Sequence, residues 1–121
     1  MYHKPRILVV GSFVMDLIAT TERIPKSAQT VYGKSFHMAP GGKGANQALQ
    51  CARLGADVTM MGCVGNDLFR EFLLETPRAA GVDVSHVVVR EDIGCGVCHV
   101  PARKYLSYMT VLAIIMAADQ V

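Results

Sequence analysis

Several familiar features are missing from this chain, and each absence excludes a class of function. Lys and Arg form no run or stripe and the net charge is only +2, which argues against a nucleic-acid surface. The basic residues of Met1 to Arg6 are followed by an apolar run that stops at Gly11, with no small-residue cleavage site, so no secretory signal is read. The longest apolar tract, Tyr105 to Ala118, has 14 residues and contains Ser107 and Thr110, too short for a membrane span. There is no internal repeat, low-complexity segment or linker. Gly42-Lys43-Gly44 is not a P-loop, because the lysine is followed by glycine rather than Ser or Thr. Four cysteines without an export signal predict reduced thiols and a cytoplasmic protein.

What remains is ordinary for one globular domain. The 121 residues are 51% hydrophobic and 18% charged, enough to bury roughly two thirds of the unfolded surface. The most informative stretch is Gly41-Gly42-Lys43-Gly44-Ala45-Asn46-Gln47-Ala48. Ala45, Ala48, Leu49 and Ala52 recur at helical spacing directly after the glycines. A glycine turn that opens a helix lets backbone N–H groups approach a polar ligand. Lys43 and Asn46 lie three apart and share one face of the first turn. The plain alternative is a flexible loop before an ordinary helix.

Ile7 to Val10 reads as a buried strand of a parallel sheet, with Gly11-Ser12 at its ligand-gathering C-terminal end. Asp16 follows in an apolar stretch, either facing water on an alternating strand or accepting ligand hydroxyls, since a carboxylate can take two such bonds. Thr30 to Met38 alternates as an exposed strand with a bulge at Gly33-Lys34-Ser35. The glycine-led helix runs to Leu54, Asp57 to Cys63 is the next strand, and Asp67 caps a helix from Leu68 to about Glu75. Pro77 interrupts that helix, and Arg78 to Gly81 resumes one turn. Val87 to Val89 is a third strand core. Tyr105 to Ala118 reads as a strand pair or a buried helix, and Met116 to Gln120 as the opening of a helix that runs out of chain.

In this order, the residues resemble the N-terminal portion of the ribokinase-like family of carbohydrate kinases. The eight-residue glycine motif carries the resemblance. Gly11-Ser12 with Asp16, Leu54-Gly55-Ala56, Gly62 to Asp67 and Gly81-Val82-Asp83 support it over about residues 7 to 100. The resemblance implies an α/β fold, the first part of a doubly wound parallel sheet. It also implies a small β lid, with strands about 17–24, 30–38 and 95–100. It implies ATP and Mg²⁺ as cosubstrate and metal, a monovalent cation in the full-length protein, ribose as the sugar, and a homodimer through the lid. Carried over residue by residue, Asp16 accepts sugar hydroxyls, Gly42 allows close backbone approach, Gly44 and Ala45 line the same turn, and Lys43 and Asn46 hydrogen-bond the sugar.

Departures limit what the resemblance implies. Ribokinases often have Asn two residues before the aspartate, and here Val14 can donate nothing. The family's Phe-Gly after its second aspartate is Phe69-Arg70 here. The catalytic base belongs to a Gly-Ala-Gly-Asp-type motif in the C-terminal half, and no Gly-x-Gly-Asp occurs in these 121 residues. The expectation is therefore a kinase fragment, inactive alone, without its catalytic half. Two other readings compete. Cys95-Gly96-Val97-Cys98-His99 matches the attachment pattern of c-type haem. A non-catalytic sugar-binding or dimerising module would share every sugar-side motif.

Overall fold

The computed structural model describes residues 3–102 and 114–117. Two sheets meet at the start of one helix. The larger contains β1 (Arg6–Val10), β4 (Asp57–Gly65), β5 (Val87–Arg90) and β7 (Ile114–Ala117), in the order β5-β4-β1-β7. β1, β4 and β5 are mutually parallel, whereas β7 runs antiparallel to β1. The smaller sheet has the order β3-β2-β6, from β2 (Val14–Thr20), β3 (Ser35–Gly41) and β6 (Gly96–Ala102). Among the described residues, no helix is long and apolar enough to cross a membrane.

The helices are α1 (Lys43–Arg53) and α2 (Arg70–Ala79). The helical spacing of Ala45 and Ala48 puts both on a buried stripe of α1, against Val9 of β1 and Val58 and Met60 of β4. Small side chains there let the helix backbone come close to the sheet. Register explains which strand residues face it: Ile7 pairs with Val58 and Val9 with Met60. The alternate residues, Val10 and Met61, are paired on the opposite face and stay largely exposed.

Several boundaries differ from the sequence reading. The strands of the smaller sheet, which the resemblance assigns to a lid, are 14–20, 35–41 and 96–102, where the sequence reading places lid strands at about 17–24, 30–38 and 95–100. β2 begins almost directly after the β1 turn, so Asp16 lies within the lid sheet. Pairing from Thr20↔Ser35 to Val14↔Gly41 is continuous, with no bulge; Gly33 and Lys34 belong to the connection, where the Lys34 N–H bonds Thr20 O at 2.7 Å. α2 begins at Arg70 and continues through Pro77 to Ala79. Pro77 removes one N–H near the helix end, while its carbonyl accepts the N–H groups of Ala80 and Val82 at 3.1 and 3.0 Å and terminates the helix. Ile114–Ala117 is strand β7, so Met116 and Ala117 are not in a helix; residues 105–113 and 118–120 of that reading lie outside the described residues.

Asp67 caps the turn before α2 rather than the helix itself. Its Oδ1 accepts the Phe69 N–H at 3.0 Å, and its Oδ2 accepts the Cys95 N–H at 2.7 Å. The Cys95 thiol beside it, followed by these backbone bonds, holds its carboxyl below the usual aspartate range. One side chain thus ties the entry of α2 to the entry of lid strand β6.

Candidate functional site

The glycine motif is built into the β1–β2 turn by close backbone contact. A Cβ on Gly44 would lie 2.7 Å from Gly11 Cα, and one on Gly42 would lie 2.4 Å from Ser12 O. Gly42 also has φ +104°, a conformation that L side chains rarely adopt. The Ala45 N–H donates to Ser12 O at 3.2 Å, and the Asn46 N–H to Gly42 O at 2.9 Å. One helix-start donor, the Ala45 N–H, therefore fastens the turn, while the Asn46 N–H makes the first bond within the helix. The arrangement is a docking of two glycine turns and less a phosphate cradle than a bare cluster of N–H groups would be.

Asp16 completes the constellation from the lid sheet. It pairs with Ala39 of β3 on one side and Cys98 of β6 on the other. A Cβ on Gly41 would come within 2.8 Å of Asp16 Oδ2, so the missing side chain at 41 leaves room for the carboxylate. Burial pushes the Asp16 pKa up from its ordinary value. The carboxylate thus stands beside the turn that opens α1. Lys43 is half-buried at the first position of that helix, and Asn46 is exposed one turn later. Of the residues predicted from sequence, Gly42, Gly44 and Ala45 pack on the β1–β2 turn, and Asp16 stands next to Gly41.

Val14, Ala39 and Cys98 share the Asp16 face of the lid sheet, as strand alternation and pairing require. Sequence spacing alone could have suggested Val14, two residues before Asp16. Ala39 and Cys98 become neighbours of Asp16 only through strand pairing.

The cysteine motif is not arranged for a haem. Cys95 is buried, with its Sγ 3.4 Å from Gly65 O. Burial, followed by the contact with Asp67, pushes its thiol up to about 11, so it stays protonated at neutral pH. Cys98 faces the Asp16 side, whereas His99 pairs with Leu17 on the other face. Among the described residues, no group of three or more His, Cys, Asp or Glu side chains is placed to hold a metal ion.

A cleft of about 740 Å³ lies elsewhere, against Arg6, Leu8, Asp57, Thr59 and Asp83. These residues include the N-terminal ends of β1 and β4. Ligands in open α/β sheets gather at the opposite, C-terminal ends of the strands, where Gly11 and the glycine motif are found. Position therefore favours the Asp16 face over this cleft.

Comparison with known proteins identifies the family. The model of the pfkB family of carbohydrate kinases matches residues 4–119. The ribokinase of Bacillus subtilis is 44% identical over 94 residues, covering 78% of this chain and 32% of that protein. The ribokinase of Lactococcus lactis is 49% identical over 90 residues, covering 74% of this chain and 28% of that protein. The structure of Arabidopsis thaliana ribokinase complexed with ribose and ATP aligns with a TM-score of 0.75 at 27% identity, over 96% of this chain and 36% of that one. The chain thus spans about a third of the length of the relatives it matches. On the family match and the shared architecture, this chain belongs to the pfkB family of carbohydrate kinases.

Proposed function

We propose that these residues form the N-terminal, sugar-binding part of an ATP-dependent ribokinase-type enzyme, taking a ribose-like pentose, and are inactive by themselves. The observation that carries the reading is the Asp16 carboxylate held beside Gly41, where the lid sheet meets the α1 turn. A partly desolvated carboxylate is a strong acceptor for sugar hydroxyls. Gly42 and Gly44 bring the backbone close, and Lys43 and Asn46 add polar groups at the helix start. Phosphoryl transfer also needs a base for the hydroxyl proton and donors or metal at the phosphates. The sequence has neither a Gly-x-Gly-Asp segment nor a P-loop, so ATP, Mg²⁺ and a monovalent cation have no fitting set of residues here.

Calorimetry of the 121-residue chain with D-ribose tests this reading, and a wild-type titration without heat at millimolar sugar would refute the binding half. Detecting ATP-dependent ribose phosphorylation by the same chain would refute the inactive half. Asp16→Asn is expected to weaken binding at least about tenfold, because hydrogen bonds to a charged group contribute roughly 1.5–3 kcal/mol. Binding should be full at neutral pH and fall as pH drops through the raised Asp16 pKa. Its loss therefore begins at a higher pH than an ordinary aspartate would give.

The reading extends to a homodimer through the lid. Phe36, Met38 and Val97 lie on the lid face opposite Asp16 and are roughly half exposed. Apolar side chains in that arrangement suit a partner surface. Light scattering is expected to give twice the chain mass at high protein concentration; a monomer mass throughout would remove this part.

A further inference from the structure

Strand β6 stands at one edge of the smaller sheet and pairs in parallel with β2. Parallel pairing is the weaker kind, and alternation of faces restricts register only to steps of two residues. A slip of two would keep each side chain on its face, yet bring Gly96 or Val100 opposite Asp16 in place of Cys98. The start of β6 therefore needs a fixed point, and Cys95 provides it. The Cys95 N–H donates to Asp67 Oδ2 at 2.7 Å, and its thiol to Gly65 O at 3.4 Å. Gly65 admits this backbone because it lacks a side chain: a Cβ there would meet Gly94 C at 2.4 Å and Cys95 N at 2.5 Å. The other Asp67 oxygen holds the Phe69 N–H at 3.0 Å, just ahead of α2. One carboxylate thus links the helix layer to the residue from which β6 departs.

We propose that Asp67 is a positioning residue for the Asp16 site: it fixes the register of β6 on β2, and so which β6 residue stands opposite Asp16. It acts through Cys95 and the strand that follows. Its effect on sugar affinity rests on the sugar-binding reading above; its effect on β6 does not. A carboxylate suits this place because its two oxygens accept N–H groups from two different segments. An amide has one oxygen, and asparagine spends it on the local turn to its own backbone, leaving an NH₂ group against the Cys95 N–H. A serine hydroxyl keeps that same local turn on an arm too short for Cys95. Both replacements therefore retain the hold on Phe69 and release β6.

The test is amide hydrogen exchange and D-ribose calorimetry on the 121-residue chain, comparing wild type with Asp67→Ser and Asp67→Asn. Asn nearly preserves the shape of the side chain, which covers the case in which Ser fails to fold. Asp83→Asn is the control, since Asp83 also accepts an N–H two residues on, from Ser85 at 2.9 Å, but outside this junction. In the Asp67 variants, amides of residues 96–102 should exchange about tenfold faster, the scale of one lost bond to a charged acceptor, while α2 changes by less than about twofold. Ribose affinity should fall about fivefold or more, because a binding constellation tolerates little displacement of its strands. The control should alter neither. A residue that only capped α2 would loosen α2 and leave β6 alone. Unchanged exchange at 96–102, or equal loosening of α2 and β6, overturns the inference and leaves the sugar-binding reading standing. Loosened β6 with unchanged ribose affinity also overturns it. If wild type takes up no ribose, the sugar-binding reading fails, and the exchange pattern alone decides whether Asp67 sets β6.

Discussion

Gly42→Ala is expected to destabilise the chain severely and to abolish sugar binding. Two independent costs act at this position. The backbone at φ +104° and ψ 138° lies in a region nearly reserved for glycine, which costs another residue roughly 1–3 kcal/mol. The added Cβ would also meet Ser12 O at 2.4 Å and Phe13 Cα and Val14 N at 2.9 Å. All three are backbone atoms of the β1–β2 connection and cannot rotate away. Overpacking of this kind costs roughly a further 1–3 kcal/mol. A sum of about 2–6 kcal/mol is a large share of the roughly 5–15 kcal/mol that stabilises a domain. Gly55→Ala separates the two costs. Gly55 has φ +97° but nothing within 4 Å of the added Cβ, so only the backbone cost remains, roughly 1–2 kcal/mol. Urea unfolding of both variants provides the comparison. Equal midpoint shifts would show that the close packing of the glycine turn on β1–β2 is not what makes Gly42 necessary.

Leu73→Ala should come next in magnitude, at roughly 2–5 kcal/mol. Leu73 is 1% exposed and lines a crevice with Pro40, Gly41, Ala45 and Leu49. It therefore lies where α2, α1 and the end of β3 come together. Removing three carbons there forfeits the burial energy and leaves a cavity beneath Gly41 that backbone cannot easily fill. The consequence reaches the site, because Gly41 sets the position of the Asp16 carboxylate. Sugar affinity should fall together with stability in this variant. Leu68→Ala provides the contrast: at 72% exposed, it should change stability by no more than about 0.5 kcal/mol. A Leu73→Ala unfolding midpoint matching that of Leu68→Ala would contradict the packing described here.

The legible parts of the sequence were those governed by local physics. The apolar β-branched run before Gly11 appears as strand β1, and the alanine spacing after Gly44 appears as the buried stripe of α1. The Asp67 carboxylate was read as a cap, and it does accept a nearby N–H, but in the preceding turn. Pro77 is where structure departs furthest from the sequence expectation. Proline interrupts a helix when the lost bond and the ring clash fall in its interior; here it lies two residues before the helix end, buried, with its carbonyl terminating the helix. The lid boundaries were displaced because strand ends depend on which partner is present, and β2 is held along its whole length by β3 and β6. The haem-like motif shows the same limitation from the other side. Its spacing was correct, but burial of Cys95 and strand alternation at Cys98 and His99 separate the groups that haem chemistry would need together.

The sequence by itself determined that a glycine turn opens a helix at residues 41–44, because positive φ at Gly42 and close approach at Gly44 are properties of residues without a Cβ. It also determined that a lone carboxylate stands in an apolar strand two residues after Val14. Only the tertiary structure decided that these two features stand side by side. Strand pairing joins residues far apart in the chain, and side chains alternate faces with a period of two. A slip of one residue in the β2–β3 register would send Asp16 and Val14 to the far side of the lid. The observed register, Val14↔Gly41 and Asp16↔Ala39, instead sets the carboxylate beside the glycine turn and the valine next to it.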